Sequence, residues 1–514
     1  MKGNDKRGAP QLVISRRQFL QGTGVLILAG AAAGLTASCN SALAETNGSA
    51  PSSSTSTATT GLQKAENWPM EVTGSFTASP DHAPIGATVV ATGTGYQPNA
   101  TFSLMWQDVT GSWNVSNGEY YGRSFKENWL TLGTIQTDSQ GNFSIPFTVP
   151  DGFGFSHDLV VLDNGVIRNK MGYFVDMQAS LLTTSGPQGS PITIQVKGMG
   201  WQDYTNAWHV EYDNQNTGIV TSVTTHGTVE AVIPATGAVG DHVIRVIEGA
   251  WSNSYLNHEE CPFPDTPTFN MTYRITPGDT VLPPAFNTQP LPAQAGVAPA
   301  PSDQPQIWAD PVSAIVGTPM NIYGRNMQAG AKVDLYWYDV SGNRVSGGGW
   351  EQVSSPFGNA TADASGSFTF ATTMPDIHGG DHKVEAQVGG QSVATTTITI
   401  TPSIIGEDPT SGPVGTVTHL HFKGISWTAT ANNYYVTYDN SYIGYACGFN
   451  SNGDVNIYLP VTGTPGWHFI DFYPGIYKGT ETASLDQFRL PMLQASDHPG
   501  EVIPVLHMAF NVTD

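Results

Sequence analysis

Residues 79–100, SPDHAPIGATVVATGTGYQPNA, contain the turn and strand pattern from which the fold of this chain can be inferred. An entry segment ends at Gly86, an alternating segment then runs to Gly93, and Trp106 lies 20 residues after Gly86. Glycine at such positions can take the positive φ that a turn between two strands requires. The segment therefore predicts short strands separated by tight turns.

The same intervals recur along the chain with a period of about 225 residues. A glycine precedes an aromatic residue by 20 residues in two units and by 23 in two others, in alternating order: Gly86 to Trp106, Gly189 to Tyr212, Gly317 to Trp337 and Gly415 to Tyr438. Each unit also has a late histidine, seven or eight residues after a proline: His157, His242, His382 and His468. These intervals predict a duplicated pair of units, named A (67–178), B (179–276), A′ (307–401) and B′ (402–514).

Composition supports many short strands. Only 12% of the residues are charged, whereas the chain has 57 glycines and 35 prolines. Long helices usually carry dense Glu, Lys and Arg, and regularly spaced turn residues are typical of two-sheet sandwiches. One histidine in each of four separate domains cannot build a metal site, so we interpret the late histidines and the third-strand aromatic residues as core residues.

Four successive motifs in unit A resemble the bacterial immunoglobulin-like repeats of the IPT/TIG type. They are S-P-x-x-x-P-x-G at 79–86, G-x-G-Y-x-P-x-A at 93–100, D-x-x-G-x-F at 138–143 and V-P at 149–150. The resemblance implies an all-β fold of four tandem immunoglobulin-like β-sandwiches, arranged as a duplicated A–B pair. It is best in A and A′, whereas B′ departs from it at 424–427 and in a long C-terminal extension. It does not imply one function, because this sandwich serves adhesins, spacers, enzyme appendages and glycan binders.

The segment Ser15 to Leu20, S-R-R-Q-F-L, resembles a bacterial twin-arginine export signal with Arg16 and Arg17 as its central pair. We predict a signal peptide at 1–44 and a disordered, Ser/Thr-rich tether at 45–66. Cleavage after Ala44 would release a soluble protein, and lipid attachment at Cys39 would anchor it. The expected location is therefore the cell surface or the extracellular space.

The net charge of −22 opposes binding to phosphate backbones, so nucleic acid is not an expected partner. The expected partners are a cell-envelope polymer, a glycan or a protein, with membrane contact only through a lipid anchor at the N-terminus. No hydrolase, nucleotide-binding or zinc-protease motif occurs in the sequence, so we expect no cofactor and assign no catalytic residue.

His419 and His421 form the one local pair that suits a metal ion. Residues i and i+2 of a strand face the same side, so both imidazoles could bind one copper or zinc ion. The corresponding positions of B are Thr193 and Gln195. Since a surface pair of histidines is usually only solvated, this site remains a weak candidate.

Units B and B′ are longer than A, and the excess lies before their final strands, at 248–269 and 473–502. Long loops on a rigid scaffold commonly carry recognition. We therefore predict ligand-binding candidates among the ring-bearing residues of these loops: Trp251, Tyr255, His258 and Phe263 in B, and Tyr473, Tyr477, Phe488 and His498 in B′. The alternative is that the loops cover a sheet edge or a neighbouring domain.

The proline-rich segment 277–306 predicts an extended linker between two separate blocks. The functional hypothesis is an exported, non-enzymatic structural or adhesive protein. Two alternatives are a glycan-binding or enzyme-associated module and a metal-binding or catalytic B′ domain.

Overall fold

The computed structural model describes residues 63–64, 67–116, 118–202, 204–249, 253–257, 266–283, 291–343, 349–476, 489–500 and 503–514. Apart from short 3₁₀ turns at Phe449–Ser451 and Ala495–Asp497, the regular structure of these residues is β-strand. None of their segments is a helix long and apolar enough to cross a membrane. The predicted signal peptide and tether lie outside the described residues, except for residues 63 and 64.

Unit A is a sandwich of a three-stranded and a six-stranded sheet. Its strands are β1 Gln63–Lys64, β2 Ser75–Ser79, β3 His82–Pro84, β4 Thr88–Thr94, β5 Thr101–Ser116, β6 Glu119–Gln136, β7 Phe143–Thr148, β8 Phe155–Asp163 and β9 Val166–Asp176. The sheet orders are β2-β4-β7 and β1-β6-β5-β8-β9-β3. The hairpin β5–β6 is unusually long, with strands of 16 and 18 residues, and it extends beyond the sandwich.

Unit B has a three-stranded and a five-stranded sheet. Its strands are β10 Gln178–Leu181, β11 Ser185–Gly186, β12 Pro191–Lys197, β13 Ala207–Tyr212, β14 Gln215–Thr221, β15 Val229–Pro234, β16 Gly240–Glu248 and β17 Phe269–Ile275. The sheet orders are β10-β12-β15 and β11-β17-β16-β13-β14.

Units A′ and B′ repeat this plan. The strands of A′ are β18 Gln306–Asp310, β19 Ser313–Ile315, β20 Pro319–Arg325, β21 Lys332–Asn343, β22 Gly349–Thr361, β23 Phe368–Thr373, β24 Gly380–Val388 and β25 Gln391–Thr401. Those of B′ are β26 Ser403–Asp408, β27 Ser411–Pro413, β28 Val417–Lys423, β29 Asn433–Tyr438, β30 Ser441–Cys447, β31 Val455–Pro460, β32 Gly466–Pro474 and β33 Leu506–Thr513. Their sheet orders are β18-β20-β23 with β19-β25-β24-β21-β22, and β26-β28-β31 with β27-β33-β32-β29-β30.

All four units have the immunoglobulin-like strand arrangement. The first strand pairs with the small sheet, and a short continuation crosses to the large sheet, where it runs parallel to the last strand. Inward residues alternate with outward ones, as in β4, where Val89 and Ala91 are buried and Thr88 and Val90 are exposed. Each sandwich buries its own apolar cluster. The predicted all-β fold of four tandem immunoglobulin-like sandwiches is confirmed.

Each late histidine closes the core of its own sandwich. Its ring lies against the aromatic ring of the third strand, at centroid distances of 4.8 Å for Trp106–His157, 5.4 Å for Tyr212–His242, 5.1 Å for Trp337–His382 and 5.5 Å for Tyr438–His468. Its Nε2 atom lies 2.8–2.9 Å from the carbonyl oxygen four residues earlier in the chain. The prediction that these histidines are core-capping residues is therefore confirmed.

The two A–B pairs are not separate blocks, so that expectation was wrong. The Asn440 amide of B′ is buried and donates to the Pro234 carbonyl of B at 2.7 Å, and Gln188 of B donates to the Trp467 carbonyl of B′ at 3.0 Å. The end of the linker also lies on A′, where the Gln294 and Ser313 backbones form an antiparallel bridge. Proline content predicts the extended shape of such a linker, but its contacts with a domain depend on the tertiary structure.

Glu407 occupies an inward position of B′ that is apolar in A and A′. It pairs with the core residue Leu420, as Ala78 pairs with Ala91 in A and Ala309 with Ile322 in A′. Burial raises the pKa of the Glu407 carboxyl from 4.5 to about 7. The ionised form is therefore less favourable in the folded chain than in the unfolded one.

We predict that Glu407→Gln makes the stability of the chain less sensitive to pH. Below about pH 4.5 the carboxyl is protonated in both states, and the native chain loses up to about 3 kcal/mol of stability as the pH rises from about 4.5 to about 7. The variant should therefore gain stability over the native chain as the pH rises through this window, measured by urea unfolding. Glu351→Gln, at an exposed position of β22, is the control and should leave the pH profile unchanged. A constant difference between Glu407→Gln and the native chain across the window would contradict the prediction.

Candidate functional site

The long loop of B is described only in part. Trp251, His258 and Phe263 lie outside the described residues, and Tyr255 is half-buried. Next to it, the Ser254 hydroxyl donates to Glu211 on β13, whose carboxylate also binds Arg245 on β16. The described part of this loop is therefore attached to the large sheet of its own domain, and a ligand-binding role for Tyr255 stays a prediction.

The C-terminal extension of B′, defined here as residues 474–505, lies against B in its described part. Tyr473, the residue before the extension, is fully buried and packs in the same apolar cluster as the core of B, together with Leu493. Tyr477 and Phe488 lie outside the described residues, and His498 is buried. A buried ring is not an exposed platform, and Tyr473 acts here in packing between B′ and B.

The extension also covers an open sheet edge. Residues 491–493 run beside β14, the edge strand of B, where the Ile219 N–H donates to the Pro491 carbonyl at 2.8 Å and the Leu493 N–H donates to the Ile219 carbonyl at 2.9 Å. An uncovered edge strand presents unpaired backbone groups and invites aggregation. For residues 489–500, the alternative that the long loop covers a sheet edge or a neighbouring domain is the one that the structure bears out.

Asp497 ties the extension to B. Its side chain is inaccessible to solvent and accepts hydrogen bonds from the Thr221 hydroxyl at 2.6 Å, the Val223 N–H at 2.8 Å, and both the N–H and the hydroxyl of Thr224 at 2.6 Å. A buried carboxylate is tolerated only when donors replace its water. The four bonds supply those donors and hold the turn 495–497 against the end of β14.

The β5–β6 hairpin of A also contacts the turn 495–497 of the extension. The Trp113 indole N–H donates to the Asp497 carbonyl at 2.6 Å, and the Ala429 N–H of B′ donates to the Gly118 carbonyl at the hairpin tip, also at 2.6 Å. One apolar cluster joins the three domains here: Tyr120 from A, Ala207 and Ile219 from B, and Ile476, Leu490 and Met492 from B′. Domain A′ adds Trp350, whose ring lies 4.1 Å from that of Trp427 in B′.

A buried, hydrogen-bonded aspartate–histidine pair lies on the face of the large B′ sheet that is opposite its core. His507 Nδ1 lies 2.5 Å from Asp471 Oδ1, and both side chains are almost inaccessible. Burial raises the pKa of the Asp471 carboxyl, and the charge of His507 opposes that rise. Since Tyr473 follows Asp471 by two residues on the same strand, the pair belongs to the interface with B.

His419 and His421 share one face of β28, as predicted, but they are engaged separately. Their rings are stacked 5.8 Å apart, and each Nε2 has its own partner: Asn456 Oδ1 at 2.7 Å for His419 and Asp454 Oδ1 at 2.6 Å for His421. Within the described ranges, no group of three or more His, Cys, Asp or Glu side chains is arranged to hold a metal ion. The pair therefore lacks a third ligand there.

A cleft of about 630 Å³ lies between B and B′, and its lining pairs equivalent positions of the two domains. These pairs are Tyr212 with Tyr438, Asp213 with Asp439, Thr236 with Thr462, and Gly237 with Gly463. Each aspartate accepts a main-chain N–H bond at 2.9 Å and contacts a late histidine through its other oxygen. The Asp439 carboxylate raises the pKa of His468. Both carboxylates therefore stabilise the turns in which they lie.

The residues that join the domains were not predicted from the sequence. Asp497, Gly118 and Asn440 belong to no motif, and their partners lie in other domains. Only the length of the loop before the last strand of B′ indicated that this segment had an additional role.

We predict that Asp497→Ala releases the extension from B. The substitution leaves the Thr221 and Thr224 hydroxyls and two backbone N–H groups without their acceptor, which should cost about 3 kcal/mol of unfolding free energy. Chemical unfolding measures that loss, and limited proteolysis should show faster cleavage within 474–505. Ser496→Ala, at the exposed neighbouring position, is the matched control. Native-like protease resistance in Asp497→Ala would refute this role.

No protein-family model matches the chain, and a comparison with curated proteins gives no match. Among solved structures, the chain is similar to the ICAM-5 D1–D4 ectodomain fragment at 11% identity, with 85% of this chain and 100% of that chain covered and a TM-score of 0.17. It is also similar to the Yersinia pseudotuberculosis adhesin InvE (12% identity, 39% and 59% covered, TM-score 0.17) and to the titin I9–I11 tandem (9%, 66% and 98%, 0.14). With TM-scores this low, the strand order of the chain remains the basis of its fold assignment.

Proposed function

We propose that this chain is an exported cell-surface or secreted protein, built from repeats of the IPT/TIG type, with a non-enzymatic structural or adhesive role. Its partner would be a cell-envelope polymer, a glycan or a protein. The export signal at Arg16 and Arg17 is the support for the location, and the domain organisation is the support for the role.

The main support for a structural role is that the B′ extension forms contacts between domains. Its described residues 489–500 lie on B, where they cover the β14 edge and place the Asp497 carboxylate among four donors. The β5–β6 hairpin of A ends at the same turn. Because these long insertions form contacts between domains, they fix the orientations of the domains. A rigid multidomain protein of this kind is suited to displaying or spacing a binding surface.

Export through the twin-arginine route is the first test. The double variant Arg16→Lys with Arg17→Lys should retain the chain in the cytoplasm of the producing cells, because that route depends on the arginine pair. Cell fractionation with immunoblotting measures this. Lys6→Arg, which keeps the charge outside the motif, is the control, and export of the double variant at the normal level would disprove the assignment.

The same fractions distinguish the two processing routes. A mature N-terminus at Glu45 would assign cleavage after Ala44 and a released protein. Incorporation of labelled palmitate that is lost in Cys39→Ser would instead assign a lipid anchor.

Binding to the envelope is the second test. The purified mature chain should co-sediment with isolated envelope material from the producing cells, and binding should saturate. Because the chain carries a net charge of −22, an unrelated protein of similar acidity controls for charge-driven adsorption. Retention equal to that of the control would remove support for an adhesive role.

A further inference from the structure

The two A–B junctions differ at one position that the duplication makes directly comparable. Phe155 begins β8 two residues before His157, and Gly380 begins β24 two residues before His382. Both have positive φ, 66° and 92° respectively. The chain therefore turns in the same way at both junctions, with a phenylalanine ring at one and no side chain at the other.

At the A–B junction the Phe155 ring fills the space between the domains. It is 8% exposed and packs in the core cluster of B, at centroid distances of 5.4 Å from Phe174 and 6.4 Å from Trp208. Gly200 lies so close that an added Cβ would stand 2.9 Å from the ring. The junction is therefore closed by apolar packing.

At the A′–B′ junction the same space is a cavity of about 370 Å³ that Gly380 lines. The position equivalent to Phe174 is Thr399, because Thr399 pairs with Asp381 in the same register in which Phe174 pairs with Ser156. The phenylalanine that contacts Phe155 in A is therefore a threonine in A′. Ser426, two residues after Gly424, replaces Gly200, which is two residues after Gly198. The segment 424–427, where B′ departs from the repeat pattern, thus supplies part of the cavity wall.

The described wall of the cavity combines apolar and polar side chains, and none of its residues is cationic. Its residues are Leu291 and Gln294 from the linker, Ser313, Gly380, Asp381, Thr399, Ile400 and Thr401 from A′, and Pro402, Ser426, Ala431 and Ile503 from B′. Asp381 is engaged by the Thr399 hydroxyl, which donates to it at 2.6 Å. An anionic ligand would meet this carboxylate and no compensating Lys, Arg or His.

Two hydroxyls of the wall lack a partner. Thr401 is 6% exposed and Ser426 is 2% exposed, and neither Oγ1 nor Oγ has a hydrogen-bond partner among the described residues. An unsatisfied buried hydroxyl is unfavourable, so such groups usually have a ligand or a water as their partner. Rotation about one side-chain bond can direct either hydroxyl to a molecule in the cavity.

We infer that the A′–B′ junction binds a neutral, polyhydroxylated molecule of about monosaccharide size. The volume lies at the lower end of small-molecule pockets, and hydroxyl groups both donate to and accept from a sugar, while Ile400, Leu291 and Ile503 cover its apolar face. The sugar can be free or the terminal residue of a glycan polymer. This inference does not rest on the proposed export or structural role, but a glycan terminus bound here would be one form of the glycan partner named there.

The test uses the full mature chain with D-glucose and N-acetyl-D-glucosamine as free probes and chitotetraose as the polymer probe. Saturation-transfer NMR should show binding, and the affinity should fall roughly tenfold when Thr401→Val and Ser426→Val are combined, as expected for two lost hydrogen bonds. Glucose 6-phosphate should bind more weakly than glucose. Binding of the monosaccharides alone would assign a free sugar, and tighter binding of chitotetraose would assign a glycan terminus.

Gly380→Phe tests the location of the site. Phe at position 380 should fill the cavity and abolish binding, and the positive φ of this position should lower the melting temperature only slightly, because Phe155 takes a positive φ at the equivalent position. Thr369→Val, at an exposed position of β23, is the matched control and should bind like the native chain. Thr401→Ser keeps the hydroxyl and should therefore retain binding. This result would show that a substitution at position 401 does not by itself abolish binding through misfolding. The inference is overturned if the native chain binds no probe, or if Gly380→Phe binds as the native chain does.

Discussion

The arrangement of the four domains depends on the burial of one carboxylate. Asp497 belongs to B′ by sequence, yet all four donors to its side chain belong to B. Removing a charge from water is so unfavourable that the extension must present Asp497 to these donors whenever the chain is folded. This requirement fixes the path of residues 489–500, and therefore the position of B′ relative to B.

The remaining contacts follow from that path. Once the turn 495–497 is in place, its Asp497 carbonyl accepts from Trp113, which brings the β5–β6 hairpin of A to the same point. The β14 edge is covered by residues 491–493, and Tyr473 completes the apolar cluster of B. Insertions that would have been free loops in isolated sandwiches thus become the interfaces of one body.

Units A and A′ differ in the chemistry of the outer face of their large sheets. In A, the Trp68 ring lies 5.3 Å from Trp129, and the backbone of residues 70–73 pairs with β9, so that the outer face of the large sheet is apolar and covered. In A′ the corresponding face carries Tyr338, Lys383 and Glu385, which bind one another. The outer face of the large sheet is therefore an apolar surface covered by the N-terminal segment in A and a hydrogen-bonded polar cluster in A′.

The sequence by itself determined the all-β class, the four sandwiches and the core role of the late histidines, because turn residues and alternating side chains act over a few positions. It also indicated that the B-type loops were exceptional. Only the tertiary structure decided that residues 489–500 cover B, that the two halves pack together, and that Gly380 leaves a cavity where Phe155 fills its counterpart. These outcomes depend on contacts between residues that are hundreds of positions apart, such as Thr221 with Asp497, and no local pattern encodes which donor meets which acceptor across such a distance.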